Sequence, residues 1–162
     1  MIELSVDAQA LQALGRRLRD EEDGKKLRRD LAKNLRAALE PAKDEVRSAL
    51  MGMATAGLEV DGAPLRTTVL KGLKAEARLT GRKTGARLKI KKTPELRNFK
   101  NAPKRLNSKK GWRHRVFGQD VWVTQVGERE YFDRTIRTGQ GRYRAAVRAA
   151  MAETARRITR KV

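Results

Sequence analysis

The residues that could do chemistry are few in this chain. His114 is the only histidine and stands between Arg113 and Arg115. A metal motif built on two histidines is therefore impossible, and a structural or interface role suits it best. Asp20-Glu21-Glu22-Asp23 groups four carboxylates, the type that serves acid/base work or holds magnesium. It lies at a helix junction beside Lys25 and Lys26, where carboxylates are ordinarily solvated. Gly81-Arg82-Lys83-Thr84 resembles the end of a phosphate-binding loop, but the glycine needed earlier is missing and an arginine intrudes, so it is a hairpin turn. Gly139-Gln140-Gly141 lacks the third glycine and the preceding strand of a dinucleotide fingerprint. Cysteine is absent, which excludes disulfides, thiolate metal sites and a cysteine nucleophile. These residues predict no enzyme, no cofactor and no metal.

What remains is charge. The 162 residues carry 39 basic and 19 acidic side chains, a formal net charge of +20. Residues 62–115 hold most of the excess: their only acids are Glu76 and Glu95, and their net charge is +16. A solubilising surface needs a magnitude of only about 2 to 8, so an acidic partner is the better explanation. Arg78, Arg82, Lys83, Arg87, Lys89, Lys91, Lys92, Lys100, Lys104, Arg105, Lys109 and Lys110 are the candidate DNA- or partner-facing residues. Cations on adjacent strands and loops can follow a phosphate backbone and release its counterions. Nothing among them suggests base readout. Phe99 is the one aromatic within the basic stretch 93–110, so sequence-independent contact with duplex fits better than a stacking platform.

The elements that must position these cations follow from periodicity. Ile2 to Val6 alternates like a short strand, and Asp7 can cap a helix with Leu11, Leu14 and Leu18 on one face. Leu27, Leu31, Leu35, Leu39, Ala42, Val46, Leu50 and Met53 then mark a long helix, kinked near Pro41. Two alternating runs, Ala75 to Leu79 and Ala86 to Ile90, predict a hairpin, and Gly118 to Val126 a third strand. Tyr143, Val147, Met151, Ala155 and Ile158 define a terminal helix, which Phe132 and Ile136 extend unless Gly139 and Gly141 break it. Residues 54–70 and 93–110, rich in Gly, Ala, Pro and Lys, are expected to be long loops, mobile in the free protein. The prediction is an α+β fold in one domain, 1–162, with long N-terminal and C-terminal amphipathic helices packed on a small antiparallel sheet. No stretch approaches the 18 or so apolar residues of a membrane span, and a chain made and used in a cytosol is expected.

The segment Leu106 to Gly118, with Trp112-Arg113-His114-Arg115-Val116-Phe117-Gly118, is followed by Val121-Trp122-Val123-Thr124-Gln125 and Phe132. This region resembles the hallmark of the tail-component, or tail-completion, proteins of long-tailed bacteriophages. About twenty residues are specific, although the order of elements is similar along nearly the whole chain. Many members have proline after the histidine, where this chain has Arg115. Trp112, His114, Phe117, Gly118, Trp122, Gln125 and Phe132 are the motif residues, in core or interface. Phe117 and Trp122 are expected in the core and Trp112 partly at an interface.

The resemblance implies a structural virion protein of the phage neck, assembled in the bacterial host cytoplasm, that completes the tail or joins head to tail. It implies a homo-oligomeric ring of six or twelve subunits, touching head-connector and tail-terminator or tail-tube proteins. Packaged double-stranded DNA would pass within reach of the basic segment. Charge alone equally permits a free-standing, sequence-independent nucleic-acid-binding protein. A nuclease toxin is a third reading, supported only by His114.

Overall fold

The computed structural model describes residues 3–6, 8–53, 59–60, 63–81, 84–99, 101–115, 119–126 and 130–160. They form an α+β protein whose contacts gather into two compact units, one of Glu3–Lys43, Lys74–Lys89 and Gly139–Val162, the other of Asp44–Leu73 and Ile90–Thr138. Among the described residues no helix is long and apolar enough to cross a membrane.

In the first unit, strand β1 (Glu3–Val6) pairs antiparallel with β5 (Gly85–Ile90), Leu4 opposite Leu88 and Val6 opposite Ala86. Strand β4 (Leu73–Arg78) borders β5 on its other edge, so the expected hairpin is present with β5 central. Its turn is closed by Thr84, whose backbone N–H and hydroxyl both donate to the Gly81 carbonyl, at 3.2 and 2.7 Å. Helix α1 (Ala8–Arg17) buries Leu11, and Leu18 just beyond it is equally enclosed; the capping role expected of Asp7 lies outside the described residues.

The helix expected from Leu27 to Met53 divides into α2 (Gly24–Ala37) and α3 (Glu40–Met51). Pro41 is the second residue of α3, where the missing N–H leaves no helical bond unmade. The chain bridges the break with a tightened turn, Ala38 N–H to Asn34 O and Leu39 N–H to Arg36 O. The apolar stripe stays in phase across it: Leu31, Leu35, Leu39 and Ala42 are fully buried.

Helix α6 (Tyr131–Thr159) runs through Gly139 and Gly141, burying Tyr143, Val147, Met151 and Thr154 along one face. Gly139 is needed there because a Cβ would overlap the buried Tyr143 ring, which folds back over the preceding turn as helical side chains do.

The second unit departs most from the periodicities. Within the expected loop 54–70, Glu59–Val60 (β2) pairs with Ala63–Pro64 (β3), and Leu65–Lys71 forms helix α4. Helix α4 buries Leu65, Thr68 and Val69 and packs against β2, β3 and a 3₁₀ segment, Pro94–Phe99. That segment and helix α5 (Ala102–Leu106) occupy the expected loop 93–110, and Leu96, Ala102, Pro103 and Leu106 are buried. Helices of five to seven residues give too few turns for a period to emerge. Both prolines stand in first turns, where proline is tolerated rather than disruptive.

The single expected sheet is also corrected. Strand β7 (Trp122–Gln125), found within the third predicted strand, pairs with β6 (Trp112–Arg115) as a separate two-stranded ladder. The sequence gives β6 no recognisable alternation because its polar positions hold two arginines and its inward ones a tryptophan and a histidine.

Candidate nucleic-acid interface

The β6–β7 hairpin is positioned from behind. Gly111 enters it at φ +68°, in the left-handed region, and its missing side chain lets the Gln125 carbonyl approach; a Cβ would overlap that oxygen. From there the side chains alternate. Register pairs Trp112 with Gln125 and His114 with Val123, and this face is buried or half-buried. Arg113 with Thr124 and Arg115 with Trp122 form the other face, all four exposed.

The expectation for the two tryptophans is therefore reversed: Trp112 is 9% exposed and Trp122 53%. Period-2 parity decides it, since fixing Trp112 inward fixes Arg113, Arg115 and their partner Trp122 outward. Trp112 meets the Phe99 ring at 5.8 Å between centroids, tilted by 49°, and the Arg105 guanidinium lies 5.2 Å above Phe99. On the outer face the guanidinium carbons of Arg113 and Arg115 each lie 5.7 Å from the Trp122 ring centre, within cation–π range. Asp120 pairs with Arg115 at 2.5 Å, and both are exposed. Val121 and Val126, on either end of β7, are exposed as well.

Next to Gly111, Lys104, Arg105 and Lys109 line a polar cleft of about 580 Å³ together with Glu130 and Asp133. Glu130 takes a positive φ of 54° and accepts from Lys109 at 3.3 Å and Arg137 at 3.0 Å. Partial burial by itself would raise its carboxyl, but these two cations outweigh it and hold it below the usual carboxylate range. Glu95 is also held low, by its own backbone N–H and by Lys71 at 3.8 Å.

The predicted basic residues fall into three groups. Arg78, Lys91, Lys92, Lys104, Lys109 and Lys110 are exposed, and Arg105 and Arg87 are half-buried. Lys89 is a correction. It is 7% exposed and pairs with Glu76, one of the two acids of the basic segment. The alternation of β5 predicts an outward Lys89, but this central strand is covered on both faces and only an ion pair makes the ammonium tolerable there. Arg82, Lys83 and Lys100 lie outside the described residues, as do Phe117 and Gly118.

Of the motif residues, Phe132 is fully buried in the first turn of α6, and Gln125 is half-buried opposite Trp112. His114 Nδ1–H donates to the Arg115 carbonyl at 2.9 Å, a local contact that suits a structural residue. Three residues of consequence were not anticipated: Arg113, Arg115 and Asn107. The signal for the arginines was strand parity, had β6 been recognised; Asn107 offered none, because its partners are 25 and 26 positions away.

The arrangement can attract and hold polyanions and can stack a planar group. Among the described residues no three His, Asp or Glu side chains are grouped to hold a metal ion. No family model, curated protein or solved structure matches this chain.

Proposed function

We propose that the protein is a non-enzymatic structural protein of a phage neck, acting in tail completion or head–tail joining, whose basic surface lies along packaged duplex DNA. The observation that carries the nucleic-acid part is the charge of residues 91–115, with ten basic side chains against Glu95 alone, itself engaged by Lys71. Lys91, Lys92, Lys104, Lys109, Lys110, Arg113 and Arg115 are all exposed there. The neck placement, the ring of six or twelve copies and the head-connector and tail-tube partners rest on the resemblance carried by Trp112 to Phe132. Neutralising phosphates in a passage lowers repulsion between DNA and protein and needs no reaction.

The test has two arms. Duplex binding without sequence preference should fall by about 10³ to 10⁵ between 50 and 200 mM salt if six to ten phosphates are contacted. Lys110→Ala should reduce the logarithmic salt slope by about 1, and Lys89→Met should leave it unchanged because Lys89 already serves Glu76. A flat salt dependence removes the DNA contact. Mass spectrometry of purified virions decides between a neck protein and a free-standing nucleic-acid-binding protein, since only the former enters the particle.

A further inference from the structure

We infer that the outer face of the β6–β7 hairpin binds single-stranded nucleic acid, with a base stacked on Trp122 and the neighbouring phosphates held by Arg113 and Arg115. This goes beyond duplex contact and does not depend on it. Among the described residues Trp122 is the one aromatic ring left exposed; Trp112, Tyr131, Phe132 and Tyr143 are buried, and Phe99 is covered in part by Trp112 and Arg105. An indole on a polar strand face is not a requirement of the fold, because Thr124 occupies the equivalent outward position two residues on.

The chemistry around the ring selects the ligand. The guanidinium groups of Arg113 and Arg115 lie over the ring at 5.7 Å, so a stacking base takes the place of one of them, and each can take a phosphate in the fork geometry that arginine offers. Among the described residues, Asp120 pairs with Arg115 in an ion pair exposed on both sides, and such pairs are readily exchanged for a phosphate. Size favours a short strand over a protein partner. Four residues at about 3.4 Å each span roughly 14 Å, and the strands are about 5 Å apart. Two or three nucleotides fit on such a face, whereas a stable protein interface needs about 800 Å² from each partner. Stacking on an exposed ring beside cations is how strands are held without sequence readout.

The experiment measures binding of labelled (dT)8 and of a duplex of the same length to the full chain at fixed salt, with tryptophan emission recorded in parallel. Single strand should quench the exposed indole. Trp122→Ala should weaken (dT)8 about five- to hundredfold and duplex by less than twofold, and Trp122→Tyr should restore most of the loss. Arg113→Ala with Arg115→Ala should lower the single-strand salt slope by about 1.4, two phosphates' worth. Thermal melting of each variant shows whether it is folded; an exposed ring should leave it unchanged. The inference is overturned if Trp122→Ala binds (dT)8 as the parent does, or weakens duplex equally. Competition by poly-L-glutamate as effective as that by (dT)8 would overturn it too, marking an acidic-protein docking face instead. Loss of duplex binding alone, with single-strand binding intact, would count against the packaged-DNA reading only.

Discussion

The side-chain oxygen of Asn107 accepts the backbone N–H of Phe132 at 2.8 Å, so the first turn of α6 is capped by a residue 25 positions upstream. The same oxygen also takes the Asp133 N–H at 3.4 Å, and Asn107 Nδ2 donates to Asp133 Oδ2 at 2.7 Å. Its main-chain carbonyl accepts the Glu130 N–H at 3.1 Å. One buried amide thus satisfies donors that a helix start otherwise leaves open, and it ties the end of α5 to the wall of the basic cleft.

Asn107→Ala should therefore cost more than an ordinary cap. An exposed cap is worth about 0.5 to 2 kcal/mol, and burial of the orphaned N–H groups adds to it, so a loss of about 2 to 3 kcal/mol is expected. Urea denaturation measures it. A loss under about 0.5 kcal/mol would show that the long-range cap contributes little.

Gly139 and Gly141 should respond with opposite signs. Gly141 has open space where a Cβ would stand, so Gly141→Ala should gain up to about 1 kcal/mol of helix propensity. Gly139→Ala gains the same but forces the buried Tyr143 ring aside, at about 1 to 3 kcal/mol, and should be net destabilising. Calorimetric melting of the two variants reads the difference directly.

Tyr131 carries a prediction in pH. Its hydroxyl is buried without a hydrogen-bond partner, and burial, aided by the Asp133 charge, pushes the phenol well above its ordinary value of 10. A raised value means that stability is fully present below the unfolded value and is lost as pH rises beyond about 10. Tyr131→Phe should be unchanged or up to about 1 kcal/mol more stable at pH 7, since no bond is forfeited. Its advantage over the parent should widen between pH 10 and 11. A parent and variant that lose stability in parallel over that interval would show that Tyr131 ionises freely in the folded state.

Much of the architecture was legible in the residues themselves. Leu31, Leu35, Leu39, Ala42, Val46 and Leu50 recur at helical spacing for long enough to declare both the helix and its buried face, and Pro41 marks the break. Tyr143, Val147 and Met151 do the same for α6, and alternation about Gly81 to Gly85 declares the β4–β5 hairpin. Local rules suffice in these places because the pattern repeats over several turns or pairs. Helix α4, the 3₁₀ segment and α5 are too short to repeat, and their stability comes from burying Leu65, Val69, Leu96 and Leu106, a property of neighbours distant in sequence.

The chain alone also determined that the molecule is strongly basic, that the excess lies in residues 62–115, and that cysteine chemistry and paired-histidine metal chemistry are excluded. Which cations face outward was decided by the tertiary structure. Lys89 and Lys91 stand at equivalent positions of one alternating run, yet Lys89 is enclosed with Glu76 and Lys91 is exposed, because a central strand's second face is covered only where other elements reach it. Trp112 and Trp122 are the same residue type in one motif, and the pairing of Arg115 with Trp122 sends them to opposite faces. Composition sets how much charge and aromatic surface there is; strand register and the covering of faces, which join residues far apart in the chain, set where it goes.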